Sequence, residues 1–199
     1  MIIALVAGLM LNGPAATTYA AGTTFNVNNT LDTPDATPGD GTCATATGNG
    51  ICTLRAAIQE ANALAGTDVI HLQSGTTYVL TRAGQDDTAL NGDLDITSSL
   101  NINGAGAGST IVDGGGLDRV FDIHAGVVTI SGVTIQNGAA HEGGGIENNA
   151  TLNLNSSAVK SNTAYSYGGG IDNHGPLTLY ASTVSGNTDI GPTANGGGI

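Results

Sequence analysis

The chain has 199 residues, of which 40% are apolar, 10% are charged and 4% are aromatic, and 32 are glycine. Low charge combined with moderate apolarity excludes intrinsic disorder, and this composition favours short strands and tight turns over amphipathic helices. Sixteen acidic residues against four basic ones give a net charge of −12, which excludes nucleic acid as a partner.

The N-terminal segment resembles a secretory signal peptide. Residues Met1 to Leu11 are almost wholly apolar, and small residues precede Ala21. The basic residues that usually begin such a signal are missing, since Arg55 is the first basic residue of the chain. We predict a signal peptide over residues 1–20 and a secreted or cell-surface location, with a buried N-terminal strand as the alternative. The apolar run is too short to span a bilayer, so no transmembrane span is expected.

A predicted cap occupies residues 21–66. It begins with an alternating strand at 24–27 and continues into a loop rich in Thr, Pro, Asp and Gly. Cys43 lies in this loop and Cys52 closes it. In an exported chain two such cysteines most simply form a disulfide, because neither a second cysteine pair nor a nearby histidine completes a metal site.

One convincing helix is predicted, over residues 53–65. Its apolar positions repeat at helical spacing, and Gly66 follows as a stop signal. Gln59, Glu60 and Asn62 are expected to face away from the apolar side. A single amphipathic helix suits the end of a solenoid, where strand edges and apolar side chains need a cover. The predicted apolar stripe contains Leu54, Ala57, Ile58, Ala61 and Leu64.

The stretch Cys52-Thr53-Leu54-Arg55-Ala56-Ala57-Ile58-Gln59-Glu60-Ala61-Asn62 resembles the CSLREA motif, a module at the N-terminus of bacterial secreted right-handed β-helix proteins. It differs from the motif by Thr53 in place of Ser and Ala56 in place of Glu. The resemblance implies that Leu54, Arg55, Ile58 and Asn62 are cap residues. Without a glutamate at position 56, Arg55 needs another acceptor, such as a backbone carbonyl at the first coil.

The remainder of the chain, residues 67–199, repeats. Gly143-Gly144-Gly145-Ile146 recurs at 168–171 and at 196–199, spacings of 25 and 28 residues, and earlier strand segments fit a period of about 24 residues. We predict a right-handed parallel β-helix with three strands per coil. Strict hexapeptide spacing is absent, which argues against a left-handed helix, and the period is too short for a propeller blade. The glycine-rich coils also resemble repeats of polymorphic outer-membrane proteins. Because residue 199 lies at the start of a repeat, we expect the solenoid to continue beyond it.

Two groups of residues suggest catalysis. A polysaccharide lyase needs carboxylates and a basic residue, which Asp113, Asp118, Arg119 and Asp122 would supply. The simpler interpretation is that Arg119 pairs with Asp118 or Asp122.

A hydrolase needs two carboxylates, and Glu147 and Asp172 follow equivalent isoleucines, so they are expected to stack one coil apart at about 5 Å. A repeat also generates such stacks without any catalytic role, and two solvated acids are the simpler interpretation.

Asp86, Asp87, Asp93 and Asp95 suggest a structural Ca²⁺ site, because oxygen ligands suit a hard cation. Their spacing does not fit an EF-hand, and the histidines are scattered one per coil. We therefore expect no cofactor, with calcium as the open alternative.

Taken together, the sequence favours an exported structural or adhesive surface module without a catalytic site of its own. The alternatives are part of a β-helical carbohydrate-active enzyme, or a glycan-binding module in which Tyr165, Tyr167 and Tyr180 dock sugars. Surface glycans or other copies of the chain are the expected partners.

Overall fold

Most of the chain winds into four parallel β-sheets around an apolar core. The computed structural model describes residues 20–192 and 196–199, and most of the predicted signal peptide lies outside these residues. The described elements are one helix, α1 (Leu54–Ala63), and the strands β1 (Thr24–Asn26), β2 (Asp68–His71), β3 (Thr76–Val79), β4 (Leu94–Ile96), β5 (Leu100–Asn103), β6 (Thr110–Asp113), β7 (Phe121–Ile123), β8 (Val127–Ser131), β9 (Thr134–Gln136), β10 (Ala139–Glu142), β11 (Ile146–Asn148), β12 (Thr151–Asn155), β13 (Ala158–Lys160), β14 (Thr163–Tyr167), β15 (Ile171–Asn173), β16 (Leu177–Tyr180), β17 (Thr183–Ser185) and β18 (Thr188–Asp189). Among these elements, no helix has the length and apolar character needed to cross a bilayer.

The strand order confirms the predicted parallel β-helix. Sheet A runs β1-β2-β5-β8-β12-β16, sheet B runs β3-β6-β9-β13-β17, sheet C runs β4-β7-β11-β15, and sheet D runs β10-β14-β18. Each later coil visits the sheets in the order C, A, B, D, and neighbouring rungs pair in parallel. Equivalent residues of successive coils therefore stand directly above one another.

The prediction of three strands per coil is wrong for the later coils, which contain a fourth strand in sheet D. The strands of this sheet escape a search for apolar alternation because they bury very little. In β10 the core-facing residue is only Ala140, and in β14 it is only Ala164. Two small side chains do not stand out among the polar residues around them.

Columns of apolar side chains fill the core. In sheet A, Ile70, Ile102, Ile130 and Leu154 stack in one column through four successive rungs. All four are fully buried. Burying one such side chain contributes about 1.5–3 kcal/mol, so the stacked columns supply the main driving force for winding.

The triple glycines serve two purposes. Gly143 and Gly168 have φ of +59° and +55°, the left-handed conformation that glycine adopts without strain. At Gly144 a Cβ atom would lie 2.3 Å from the carbonyl oxygen of Thr163 on the next coil. The repeat thus needs glycine first for its turn and then for close packing between coils.

An asparagine ladder joins successive coils at the corner between sheets B and D. The Oδ1 atom of Asn162 accepts from the Gly138 backbone N–H at 2.8 Å, and its Nδ2 donates to the Ile135 carbonyl at 3.2 Å. Asn187 makes the equivalent bond one coil later, to Val159 at 2.9 Å, and its Oδ1 accepts from Asn162. At this corner the strands are interrupted, and the asparagine side chains bond to backbone N–H and carbonyl groups that strand pairing would otherwise satisfy.

Replacing Asn162 with leucine should destabilise the protein by about 2–4 kcal/mol, because it leaves a buried N–H and a buried carbonyl without partners. Urea unfolding followed by circular dichroism measures this loss. Asn153→Leu is the matched control, since Asn153 lies at an outward position of β12 and should cost less than about 1 kcal/mol. Equal losses in the two variants would show that the ladder does not brace the coils.

The N-terminal cap contains β1, the loop that follows it, and α1. The Cys43–Cys52 disulfide is present, as predicted, and ties the loop to the residue before the helix cap. Thr53 caps α1, its Oγ1 accepting from the Ala56 N–H at 3.1 Å and donating to the Thr33 carbonyl. Ile58 is fully buried on the side of α1 that faces the coils.

The expectation that Gln59 and Glu60 face away from the structure is wrong. Both are buried, because the cap loop and a later insertion cover the polar side of α1. Glu60 accepts from the backbone N–H groups of Gly39 and Gly41, at 2.9 and 3.0 Å. Asn62 lies at the edge of the first complete coil, where its Nδ2 donates to the Asp95 carbonyl at 2.8 Å. The helix is therefore enclosed on both sides.

Arg55 is buried and joins the cap to the insertion at residues 81–93. Its Nε and Nη2 atoms contact the two carboxylate oxygens of Asp32, at 2.6 and 3.2 Å. The expectation that it binds backbone carbonyls is also met, although they belong to the insertion rather than to the strands of the first coil. The carbonyl acceptors are Ala89, Gly92 and Asp93, at 3.0, 2.8 and 3.0 Å.

Arg55→Met should cost about 3–5 kcal/mol, because it leaves the Asp32 carboxylate and three carbonyls without their donor. Thermal unfolding monitored by circular dichroism provides the measurement. Arg82→Met is the control: Arg82 also bonds to the insertion, at Leu90 and Asn91, but it is only partly buried and should cost less than about 1 kcal/mol. Similar melting temperatures for Arg55→Met and the wild type would contradict the bracing role of Arg55.

Candidate functional site

A ladder of acidic residues runs along sheet C. The register pairs Asp95 with Asp122, Asp122 with Glu147, and Glu147 with Asp172. The predicted stacking of Glu147 and Asp172 is confirmed, and the ladder extends two rungs further toward the cap. Adjacent rungs of a parallel sheet are about 4.8 Å apart, so like charges at these positions repel unless a cation lies between them.

Arg119 supplies positive charge to the middle of the ladder. It precedes β7, and its Nη1 atom contacts Asp122 and, at 3.3 Å, Asp93, while Nη2 lies 2.9 Å from Glu147. The expected ion pair with Asp122 is present, whereas Asp118 instead accepts from the backbone N–H of Arg119 at 2.8 Å. Burial alone would lower the pKa of Arg119, but Asp122, Asp93 and Glu147 outweigh it and raise the pKa. Arg119 is thus a fixed cation and not a base.

Several carboxyl groups of this cluster resist ionisation. Burial, reinforced by the neighbouring Asp95, raises the pKa of Asp93 to about 8. Burial also raises the pKa values of Asp95, Asp118 and Asp122.

His124 lies beside these acids, with its Nε2 atom 3.1 Å from Oδ1 of Asp95 and 3.6 Å from Oδ1 of Asp122. The sequence interpretation of this histidine as an isolated coil residue missed that contact.

An open cleft of about 390 Å³ gives access to the cluster. Its walls come from the insertion and from the residues around β7. The lining residues are Gln85, Asp86, Asp87, Asp93, Asp118, Arg119 and Asp122.

The structure distinguishes Asp86 from the other three aspartates of the predicted calcium loop. Asp86 turns into its own loop, where it accepts from the N–H groups of Thr88, Leu90 and Asn91 at 2.9, 3.1 and 2.8 Å. Burial opposes ionisation there, but the hydrogen bond from the Thr88 side chain and the backbone donors lower the pKa of Asp86 to about 2. Asp93 and Asp95 instead join Asp122.

Two sets of side chains within the described residues have the geometry of a metal site. One carboxylate oxygen from each of Asp93, Asp95 and Asp122 lies within 4.8 Å of the others. The same limit holds for ligand atoms of Asp87, Asp95 and His124. Asp95 belongs to both sets, so the two describe neighbouring positions in one cluster.

Asp113 does not belong to the cluster. It ends β6 in sheet B, where it accepts from the Gly115 N–H and from the side chains of Gln136 and Asn137. Asp172 lies at the far end of the ladder, with His174 Nε2 at 2.9 Å. The four residues predicted for a lyase are therefore not brought together as a group.

Register counting from the glycine repeats was the signal that would have predicted the complete ladder. Asp95, Asp122, Glu147 and Asp172 each follow an apolar residue that begins a sheet C strand. Only the last two were paired from the sequence, because the spacing of the earlier coils is less regular. The insertion folds inward and adds Asp93 to the cluster, and no pattern in the sequence indicates this.

Searches against protein-family models, curated proteins and solved structures find no match to this chain. The resemblance of residues 52–62 to the CSLREA motif therefore stays a prediction.

The pKa of Asp93 leads to a pH prediction for protein kept in a chelating buffer. Between an unfolded pKa near 3.8 and a folded pKa of about 8, the folded state holds a proton that the unfolded state has released. Stability should therefore fall as the pH rises from 5 to 8. Melting temperatures measured across this range test the sign.

Asp93→Asn should reduce this slope, because the amide does not ionise, and Asp95, Asp118 and Asp122, whose pKa values burial also raises, should account for the remainder. A slope unchanged by Asp93→Asn would contradict the assignment of the titration to Asp93.

Proposed function

We propose that this chain is an exported structural or adhesive surface module, built on a capped β-solenoid and without a catalytic site of its own. The observation that carries the proposal is the state of Arg119, the basic residue of the acidic cluster. A lyase needs a base that accepts a proton from its substrate. Arg119 is held by Asp122, Asp93 and Glu147, and its raised pKa keeps it protonated.

The remaining arginines support the same interpretation. Arg55 is bound by Asp32 and by carbonyls, and Arg82 bonds to the insertion. Glu147, one of the two acids considered for hydrolysis, is held by Arg119 and also accepts from Asn149. These charged side chains brace neighbouring segments of the fold, which is the role expected of them in a scaffold.

Export is supported by the cap. The Cys43–Cys52 disulfide is of the kind that forms and persists in oxidising compartments outside the cytosol. The apolar N-terminal run and the net charge of −12 are consistent with a chain that is secreted and remains soluble at a surface.

An exposed pair of aromatic rings supports the adhesive role. Tyr165 and Tyr167 lie two residues apart in β14 of sheet D, and they are 52% and 44% exposed. Their backbones are about 7 Å apart, and such rings form a platform on which sugar rings can stack. Tyr180 is more exposed but lies on sheet A, away from this pair.

Binding to a panel of neutral and acidic glycans tests the adhesive role. A Tyr165→Ala/Tyr167→Ala variant should lose at least about tenfold in affinity, because each ring supplies apolar contact area at low conformational cost. Tyr180→Ala is the control and should bind as the wild type does. Equal binding by all three proteins would contradict the assignment of the adhesive face to sheet D.

The absence of catalysis is tested separately, by incubating the same polysaccharides with the protein, with and without Ca²⁺, and measuring chain ends. If the wild type cleaves a polysaccharide over time and the Glu147→Gln variant does not, the chain is an enzyme and the proposal of a non-catalytic surface module is wrong.

A further inference from the structure

One buried oxygen of the acidic cluster lacks a partner. The Asp122 side chain is 9% exposed, and its Oδ2 atom contacts Arg119. Its Oδ1 atom is buried and accepts no hydrogen bond from any residue that the structure describes. His124 Nε2 lies 3.6 Å from it, beyond hydrogen-bond distance. A buried carboxylate oxygen without a partner is costly, and in native proteins such an atom usually has a water molecule or an ion beside it.

We propose that a Ca²⁺ ion binds between Asp93, Asp95 and Asp122, with the unpartnered oxygen of Asp122 among its ligands. One oxygen from each carboxylate lies within 4.8 Å of the others. Ca²⁺ binds oxygen at about 2.3–2.6 Å, so two ligands on opposite sides of the ion are up to about 5.2 Å apart. The three carboxylates are therefore close enough to share one ion.

We place the ion on the side of the cluster that the Oδ1 atom of Asp122 faces. His124 Nε2 is 3.1 Å from Oδ1 of Asp95 and 3.6 Å from Oδ1 of Asp122, so these two oxygens face the same region. Arg119 binds the other oxygen of Asp122 and Oδ2 of Asp93. The guanidinium and the ion would thus use different oxygens of Asp122.

Charge balance favours a divalent cation. Asp93, Asp95, Asp118, Asp122 and Glu147 lie together around Arg119 and His124. A bound divalent ion would offset the repulsion between these acids once they ionise, and its binding would displace the proton that Asp93 holds near pH 7. The cleft at the insertion gives the ion a route from solvent.

The ligand set favours Ca²⁺ over other divalent ions. All three ligands are carboxylates, the hard oxygen donors that Ca²⁺ prefers, and all three residues are buried. Mg²⁺ retains several water molecules and demands near-ideal octahedral geometry, which a buried site of three carboxylates satisfies less well. Zn²⁺ would favour the neighbouring set that contains His124, because imidazole is a preferred zinc ligand.

The ion would join parts of the chain that are distant in sequence. Asp93 belongs to the insertion that Arg55 binds, Asp95 lies in β4, and Asp122 lies in β7 on the next coil. Calcium binding would therefore tie the cap-side insertion to two successive coils. The proposed calcium site does not depend on the proposal of a surface module. Its test measures the binding of Ca²⁺, not adhesion or catalysis.

The test is calorimetric and thermal titration of the chelator-treated protein with CaCl₂ at pH 7 and constant ionic strength. We expect saturable binding of one ion, with a dissociation constant on the order of 10⁻⁶ to 10⁻³ M, and a rise in melting temperature that a chelator reverses. Hydrogen exchange should slow at residues 85–96 and 119–124. MgCl₂ at equal concentration should give a much smaller rise.

Asp122→Asn should weaken Ca²⁺ binding at least about tenfold, because it removes a charged ligand. Asp172→Asn is the matched control on the same ladder, and its affinity should equal that of the wild type. Should Asp122→Asn fail to fold, Asp93→Asn provides the same comparison, since within the described part of the chain the Asp93 side chain makes one hydrogen bond, to Arg119 at 3.3 Å.

Three results would overturn the proposal. The first is a wild-type protein that shows neither heat nor a thermal shift up to 10 mM Ca²⁺. The second is a response to Mg²⁺ equal to that of Ca²⁺, which indicates nonspecific screening of acidic residues. The third is binding of Zn²⁺ that His124→Ala abolishes, together with no binding of Ca²⁺, which assigns the site to the histidine-containing set.

Discussion

The buried guanidinium of Arg55 connects three segments that are far apart along the chain: the cap loop through Asp32, the helix on which Arg55 lies, and the insertion that precedes β4. A buried ion pair offsets its desolvation cost only when the remaining donors and acceptors are also satisfied, and here both oxygens of Asp32 and three carbonyls fulfil that condition. The N-terminal end of the solenoid is consequently closed by polar bonds as well as by apolar burial. The position of the acidic cleft depends on the same contacts, because the insertion that supplies Asp93 is held in place by Arg55.

Beyond the cap, parallel register determines which side chains meet. Every strand position recurs one rung higher, so an apolar position becomes a column, an asparagine becomes a ladder, and an acid becomes a row of like charges. Columns and ladders stabilise the stack, whereas the acidic row requires compensation. Arg119 provides it for Asp122 and Glu147, and His124 contacts Asp95. The repeat therefore generates the row of acids, and Arg119 and His124, which are not part of the repeated pattern, compensate its charge.

The repeat explains how much of this was predictable. The Gly-Gly-Gly-Ile repeats and the apolar positions carry period and strand identity together, so the parallel β-helix and the Glu147–Asp172 stack follow from the spacing of the repeat. The helix was predicted from its own apolar periodicity, and the disulfide from the expected export of a chain with two cysteines. Sheet D was not predicted, because Ala140 and Ala164 bury too little to mark a strand. The buried positions of Gln59 and Glu60 and the inward turn of Asp93 depend on how long loops fold over the helix, and such tertiary contacts leave no periodic trace. The candidate site contains residues of the repeat and residues of the insertion, and only the residues of the repeat could be placed from the sequence.

The two ends of the described solenoid differ in how readily they tolerate a change in length. Ile146 and Ile171 are paired 25 residues apart, and the coil between them meets equivalent columns above and below. Duplicating that segment in a gene would lengthen the rod by about 4.8 Å and reproduce contacts that already exist. The same event near Asp93 would separate Arg55 from its acceptors and divide the acidic cluster. Evolution by duplication is thus unobstructed in the glycine-rich coils and blocked beside the cap, so relatives of this protein are expected to vary in coil number away from the helix while keeping the first coils constant.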